Sequence, residues 1–286
     1  MIKTVTGNHL QLRCVNIRPL SIMGLCNQLY YLVASTVWCY QNKVQLLFID
    51  SFHLEPNSNF YCYISKILYL DAINEYIRTK YGVGLFDINL KHYKKYKSKQ
   101  KFFSIKLSWD EVCAMVNTIE GNDILNNLLF IPELVTVPMK FINSKTDINK
   151  VGKLNIVHLR LEDDAILHWC SINKMKKELF FNKLCEKYIF LIKKHINKNE
   201  PLVFVTGNVD NPVINYVKQN KYDYSWFVKQ SRYREINAIM DLIIGKLCFG
   251  VFIGAGGSSF SDMIHIAHKN DDKVVCHFVD LDNILT

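Results

Sequence analysis

Phe249-Gly-Val-Phe-Ile-Gly-Ala-Gly-Gly-Ser-Ser-Phe-Ser-Asp-Met-Ile264 joins an apolar run to a cluster of small and hydroxylated residues. Val251, Phe252 and Ile253 form the apolar run of a buried strand. Four small residues follow, then Ser258-Ser-Phe-Ser261 and the start of a helical pattern. Glycine lets a backbone approach a ligand closely. Serine caps a helix, and the N–H groups of a first helical turn attract an anion. The stretch reads either as a phosphate seat at the carboxyl end of a strand or as an ordinary strand–loop–helix junction with a capping serine. The rest of the chain decides between them.

Working outward, strand and helix patterns alternate. Ile236, Ile239, Met240, Ile243, Ile244 and Leu247 recur at helical spacing. Leu202–Thr206 is a strand closed by Gly207-Asn208. Asn211–Gln219 is a short helix with Pro212 at a favoured first position. Ser225–Lys229 reads as a strand. Leu154–Leu159 is another, and Phe180, Leu184, Tyr188 and Leu191 mark a long helix ending near His195. The helix after Ser261 runs through Ile264, and Val274–Val279 is the last strand. This alternation predicts a parallel, doubly wound sheet, where ligands bind beyond the carboxyl ends of strands. Three polar clusters fall at such ends: His158 with Arg160, Thr206–Asn208, and Ser258–Ser261.

The first half opens similarly. Leu12–Arg18 reads as a strand, and Met23-Gly-Leu-Cys-Asn-Gln-Leu29 as a turn. Leu29, Leu32, Val33, Thr36, Val37 and Tyr40 predict a helix buried on one face, and Val44–Asp50 a strand. This is a βαβ unit with Gly24 and Asn27 at its turn. Ala72–Tyr81 and Trp109–Ile119 read as helices, and Lys91–Lys101 as an exposed loop. The polar run Asn143–Lys153 is taken as a linker, giving an amino-terminal domain over 1–145 and a carboxy-terminal domain over 150–286.

Composition narrows the function. With 286 residues, 49% of them hydrophobic, the chain is globular and long enough for two domains. A net charge of +9 points to an anionic partner. The lysines, concentrated in 91–101 and 174–198, suit a solvated surface better than a nucleic-acid site. The nine cysteines include no Cys-x-x-Cys pair, which favours reduced, buried thiols and a cytoplasmic setting. No stretch reaches the roughly 18–20 apolar residues of a membrane span. The amino terminus lacks the charged-then-apolar pattern of a secretory leader.

His158 and Arg160 share one face of their strand, because strand residues two apart do so. Arg160 offers a bidentate fork to phosphate. Glu162, Asp163 and Asp164 follow at once. Basic then acidic groups at one strand end suit holding a diphosphate while deprotonating a hydroxyl. They suit a charged surface turn equally.

Three blocks carry a resemblance. Gly24-Leu-Cys-Asn27-Gln28-Leu29, His158-Leu-Arg160-Leu-Glu-Asp-Asp164, and Asp241 followed by Phe252-Ile-Gly and Ser258-Ser-Phe-Ser261 occur in this order. They resemble the motifs of the protein O-fucosyltransferase and α-1,2/α-1,6-fucosyltransferase superfamily, including its plant rhamnosyltransferase-like branch. The resemblance implies an α/β, GT-B-like fold: two Rossmann-like domains with parallel sheets facing a cleft. It implies an inverting, metal-independent glycosyltransferase that needs no cofactor beyond its nucleoside-diphosphate sugar, by default GDP-fucose. The acceptor would be a glycan or glycoprotein hydroxyl. By the same resemblance Arg160 holds the β-phosphate, and Ser258, Ser259 and Phe260 serve the diphosphate. Asp241 and His158 contact the nucleoside, and Gly24 and Asn27 contribute from the first domain. Thr206, at a strand end, is a further nucleotide-sugar-binding candidate. Asp164 is the first candidate for the catalytic base and Glu162 the second. Cys26 departs from the glycine common at its position.

Other readings stay open: a rhamnosyl- or xylosyltransferase of the same fold, a non-catalytic sugar-nucleotide or glycan-binding module, or a basic nucleic-acid-binding protein. His265 and His268 are spaced to share a metal but have no completing ligand. Asp280 reads as a strand-end cap, and Trp169 as a packing residue or a stacking platform for an acceptor sugar. A hydrolase is disfavoured because Gly-x-Ser-x-Gly is absent.

Overall fold

The computed structural model describes residues 14–17, 23–49, 51–55, 60–87, 102–145 and 152–285. The Lys91–Lys101 loop and the middle of the expected linker lie outside them. Contacts divide the chain into two units, Met1–Ile131 and Pro132–Thr286.

The first unit holds β1 (Cys14–Ile17), α1 (Leu25–Gln41), β2 (Leu46–Ile49), β3 (Phe52–His53), β4 (Tyr61–Cys62), α2 (Leu70–Tyr81), β5 (Gly84–Asp87), β6 (Phe102–Ser104), α3 (Trp109–Val116) and α4 (Ile119–Asn126). Its sheet has the order β5-β2-β1-β6 with every pairing parallel, and β3 and β4 form a separate antiparallel pair. Helix α1 was expected to bury one face. It is buried on nearly all sides, because it packs against β1 and β2 and also against α3 and α4. The expected helix over 109–119 ends earlier, at Val116, and Ile119 already opens the next helix. Thr118 takes the Gly121 N–H on its hydroxyl and starts a new helix there. Ser108 and Glu111 form a reciprocal capping box at the start of α3.

The second unit holds α5 (Pro132–Lys145), β7 (Asn155–Leu159), α6 (Asp163–Ile172), α7 (Lys177–His195), β8 (Leu202–Thr206), α8 (Pro212–Gln219), β9 (Tyr224–Trp226), α9 (Arg234–Lys246), β10 (Val251–Ala255), α10 (Ser259–His268) and β11 (Val275–Val279). Helix α5 packs against α9. The contacts therefore group residues 132–145 with the second half, whereas the polar run at 143–153 had suggested a boundary after them.

All five strands of this unit are parallel, in the order β11-β10-β7-β8-β9. Numbered within the unit, that is 3-2-1-4-5 read from the β9 edge, the Rossmann order. Strand order reverses between β7 and β10. The loops leaving those two strands diverge to opposite faces and open a crevice at their carboxyl ends. Strand β7 is buried throughout, as the middle strand of a doubly covered sheet must be. Below it lies a core of Phe180, Leu184, Tyr188, Phe204 and Ile253.

Two glycines shape the β10 end. Gly257 has φ +75, and a Cβ there would stand 2.9 Å from the Trp169 ring. Gly254 lets Ser261 close in: a Cβ at 254 would meet Ser261 Oγ at 2.8 Å and the Phe252 ring at 2.8 Å. Gly254→Ala is therefore expected to overpack the site and destabilise the chain by about 1–3 kcal/mol. The check is the urea midpoint, which should fall with an unchanged m-value.

Candidate functional site

The crevice in the second unit is built from strand ends. His158 is the fourth residue of β7, and its ring is buried. Its Nδ1 lies 2.7 Å from Ser261 Oγ, and that oxygen also accepts the Ala255 N–H at 2.9 Å. The Phe260 ring packs on the imidazole with centroids 4.4 Å apart. The two motifs expected to serve one ligand, His158/Arg160 and Ser258–Ser261, are thus joined by direct contact. Burial, aided by the Arg160 charge, pushes the His158 imidazole down to about 3, so the ring is neutral.

Tyr188 of α7, read from sequence only as helix core, hooks the end of β7. Its hydroxyl donates to the His158 carbonyl at 2.9 Å and accepts the Arg160 N–H at 3.3 Å. Arg160 leaves the strand there. Its guanidinium donates through Nη1 to Glu162 Oε2 at 2.9 Å and through Nη2 to Asp164 Oδ2 at 3.5 Å. Glu162 also accepts the Gly207 N–H on Oε1 at 3.2 Å, tying the loops after β7 and β8 together.

These acidic residues begin a helix that no motif announced: Glu162 is the N-cap of α6, and Asp163 and Asp164 fill its first turn. Acidic residues there complement the helix dipole. Asp164 faces a second cation as well, with Arg234 Nη2 3.4 Å from its Oδ2. Burial works to raise the Asp164 carboxyl, but Arg160 and Arg234, with the Ala165 N–H, outweigh it and hold the group below the usual aspartate range. A carboxylate held that low is a weak proton acceptor in this state.

On the β10 side, Ser258 is the N-cap of α10 and makes no side-chain capping bond. The Gly256 N–H is taken by the Val279 carbonyl at 2.8 Å. Thr206 spends its hydroxyl locally, donating to the Asn208 carbonyl at 3.0 Å and accepting the Asn208 N–H at 3.1 Å. Asp241 lies on α9. Burial raises it to about 7, with Lys229 opposing and Glu162 adding to the shift. Asp262, in the first turn of α10, is raised by burial to about 6.

The remaining candidates separate. Gly24 is the N-cap of α1 in the first unit, with φ −63 and ψ 161, a conformation open to any residue. Asn27 is half-buried in the first turn. Its neighbour Gln28 is architectural: it donates to the Met23 and His53 carbonyls and accepts the His53 N–H at 2.8 Å. Trp169 packs beside Gly257, and Asp280 accepts the Asp282 and Asn283 N–H groups as a turn cap. His268 lies 3.1 Å from the Gly245 carbonyl and His265 packs edge-on to Phe278. Among the described residues no helix is long and apolar enough to cross a membrane.

No protein-family model matches the sequence, and no curated protein matches it. Solved structures do match. POFUT1 in complex with GDP-fucose superposes with a TM-score of 0.60 over 93% of this chain and 98% of that chain, at 10% identity. NodZ alpha-1,6-fucosyltransferase co-crystallized with GDP gives 0.57 over 90% of this chain and 92% of that one, at 12% identity. Fucosyltransferase NodZ from Bradyrhizobium gives 0.55 over 90% and 93%, at 14% identity. The chain has the α/β fold of these fucosyltransferases, and the likeness suggested by the three motif blocks holds at the level of fold.

The His158 geometry generates a prediction. A free histidine titrates near 6.5. Because the folded value lies below it, the stability the neutral ring contributes is fully present above pH 6.5 and is lost as pH falls toward 3. Between pH 7 and 5 this amounts to at most about 2 kcal/mol. Urea unfolding of His158→Gln should show a smaller loss of stability over that interval than the parent chain.

Proposed function

We propose that the chain is a glycosyltransferase using a nucleoside-diphosphate sugar, with GDP-fucose as donor. The observation that carries this reading is the pairing of His158/Arg160 with the Ser258-headed helix at the two strand ends flanking the reversal of strand order. This is where a parallel sheet of this kind binds nucleotides. The fold likeness to POFUT1 in complex with GDP-fucose supports it.

In this reading the diphosphate sits over the first-turn amides of α10, with the Arg160 guanidinium on its β-phosphate. Asp241 supports guanine in particular. Its two oxygens can accept the adjacent N1–H and N2–H donors of guanine in parallel, whereas uracil offers a single N–H between two carbonyls. Such donors also favour the charged carboxylate that burial now opposes. Buried His158 holds Ser261 and Phe260 in place beside the nucleotide.

The proposed reaction inverts the anomeric carbon. The bond from C1 to the β-phosphate oxygen breaks, and its electron pair leaves on the diphosphate. The acceptor oxygen bonds to C1 from the opposite face, and its proton passes to a carboxylate. Arg160 and the helix amides offset the charge on the leaving group, the task a divalent ion performs elsewhere, which is the basis for proposing metal independence. Asp164 is the proposed proton acceptor, with Glu162 second. Asp164 must first lose its arginine contacts to become a competent base.

A thermal-shift panel of GDP, UDP and dTDP tests the donor: GDP should stabilise the chain most, and stabilisation by UDP or dTDP alone would contradict the guanine assignment. Arg160→Ala should lower transfer from GDP-fucose by about 10²–10³, as loss of one preorganised charge donor does. Near-normal turnover in that variant would contradict the site. Chelation with EDTA should leave transfer unchanged. Asp241→Asn should weaken GDP binding yet stabilise the ligand-free chain at pH 8. The folded Asp241 value lies above that of a free aspartate, so its burial costs nothing below about pH 4; the cost accumulates as pH rises from there to about 7 and is fully present at pH 8.

A further inference from the structure

We propose that Arg234 is a second ligand for the diphosphate, an inference that rests on the donor site proposed above. Arg234 opens α9, 74 residues after Arg160 and on a separate loop, yet the two guanidiniums converge on one atom. Arg160 Nη2 is 3.5 Å and Arg234 Nη2 is 3.4 Å from the same Asp164 Oδ2. Both contacts are long for charge-assisted hydrogen bonds, which run about 2.7–2.9 Å. The Asp164 side chain is 54% exposed, so it is free to turn away. A single oxygen held loosely between two forks is the geometry in which a phosphate oxygen bridges them.

The arginine's placement is built rather than incidental. The loop between β9 and α9 is pinned by Asn237, a buried residue of α9. Its Oδ1 accepts the Gln230 and Ser231 N–H groups at 3.1 and 3.0 Å, and its Nδ2 donates to the Ser231 and Tyr233 carbonyls at 2.8 and 3.1 Å. The loop ends at Tyr233, and Arg234 is the first helical residue. A cation in the first turn works against the helix dipole. Neighbouring Glu235 is buried, with its Oε1 3.7 Å from Arg234 Nε. Strand β9 is parallel to β8 and β7, so the loop that follows it emerges on the same carboxyl edge of the sheet as Arg160. When a diphosphate enters, Arg160 and Arg234 transfer from Asp164 to its oxygens, and Asp164 is released.

Binding of inorganic pyrophosphate, GDP and guanosine by calorimetry tests this. Arg234→Ala should weaken pyrophosphate and GDP by about ten- to a hundredfold, the range for a hydrogen bond to a charged group, and leave guanosine unchanged. Arg234→Lys should fall between, since it keeps the charge and loses the fork. Arg232→Ala controls for general charge: it removes a cation from the same loop, but that arginine donates to the Tyr233 hydroxyl, and its affinities should match the parent chain. If the parent binds GDP and Arg234→Ala binds GDP and pyrophosphate equally well, the inference falls while the donor site stands. An equal loss in Arg232→Ala also overturns it. If the parent binds neither GDP nor pyrophosphate, the donor site falls and the role of Arg234 with it.

Discussion

The second unit depends on a buried hydrogen bond between His158 and Ser261. It joins the ends of β7 and β10, the adjacent strands from which the chain departs to opposite faces of the sheet. Ser261 also takes the Ala255 N–H, and Phe260 lies on the imidazole. A neutral histidine suits this position because a charged ring would be buried beside Arg160. Gly254 is the condition for the contact, since any larger residue there would strike Ser261. One polar pair thereby sets where the first turn of α10 begins relative to the end of β7.

Around that fixed pair the charges are arranged with less rigidity. Arg160 is held from behind, through its own N–H on the Tyr188 hydroxyl, while its guanidinium shares Glu162 and Asp164. Glu162 is anchored twice, and Asp164 rests on two arginines at longer distances. Asp241 is the opposite case, a carboxylate whose burial keeps its proton near neutral pH. Perturbed groups of both signs, gathered at one edge of a parallel sheet, are characteristic of a binding or catalytic centre. The proposed donor chemistry uses both.

Most of the architecture was legible because buried parallel strands read as short apolar runs. Leu202–Thr206 is the strand the sequence predicted, and the helix ending at His195 and the Pro212 helix start also match. Where reading failed, tertiary context or short length was the cause. The spacing of α1 shows one apolar face, but α3 and α4 cover its other side. The helical pattern from Trp109 reads on to Ile119, past the end at Val116, where Thr118 caps the next helix through its hydroxyl. Strands β5 and β6 have four and three residues, too few to show a period. Helix α5 carries Pro138 inside it, which masks its pattern. In the site, His158, Arg160 and the Ser258 turn stand out locally. Arg234 does not, because only folding brings it to Asp164, and no motif marks an arginine at the start of an amphipathic helix.

In the proposed reading a nucleoside diphosphate binds in the second unit where strand order reverses. A crystal structure of the chain soaked with GDP tests it most directly. Diphosphate oxygens should lie within hydrogen-bond distance of the Ser259 and Phe260 amides and the Arg160 guanidinium, with the base beside Asp241. GDP bound away from the carboxyl ends of β7 and β10 would contradict it.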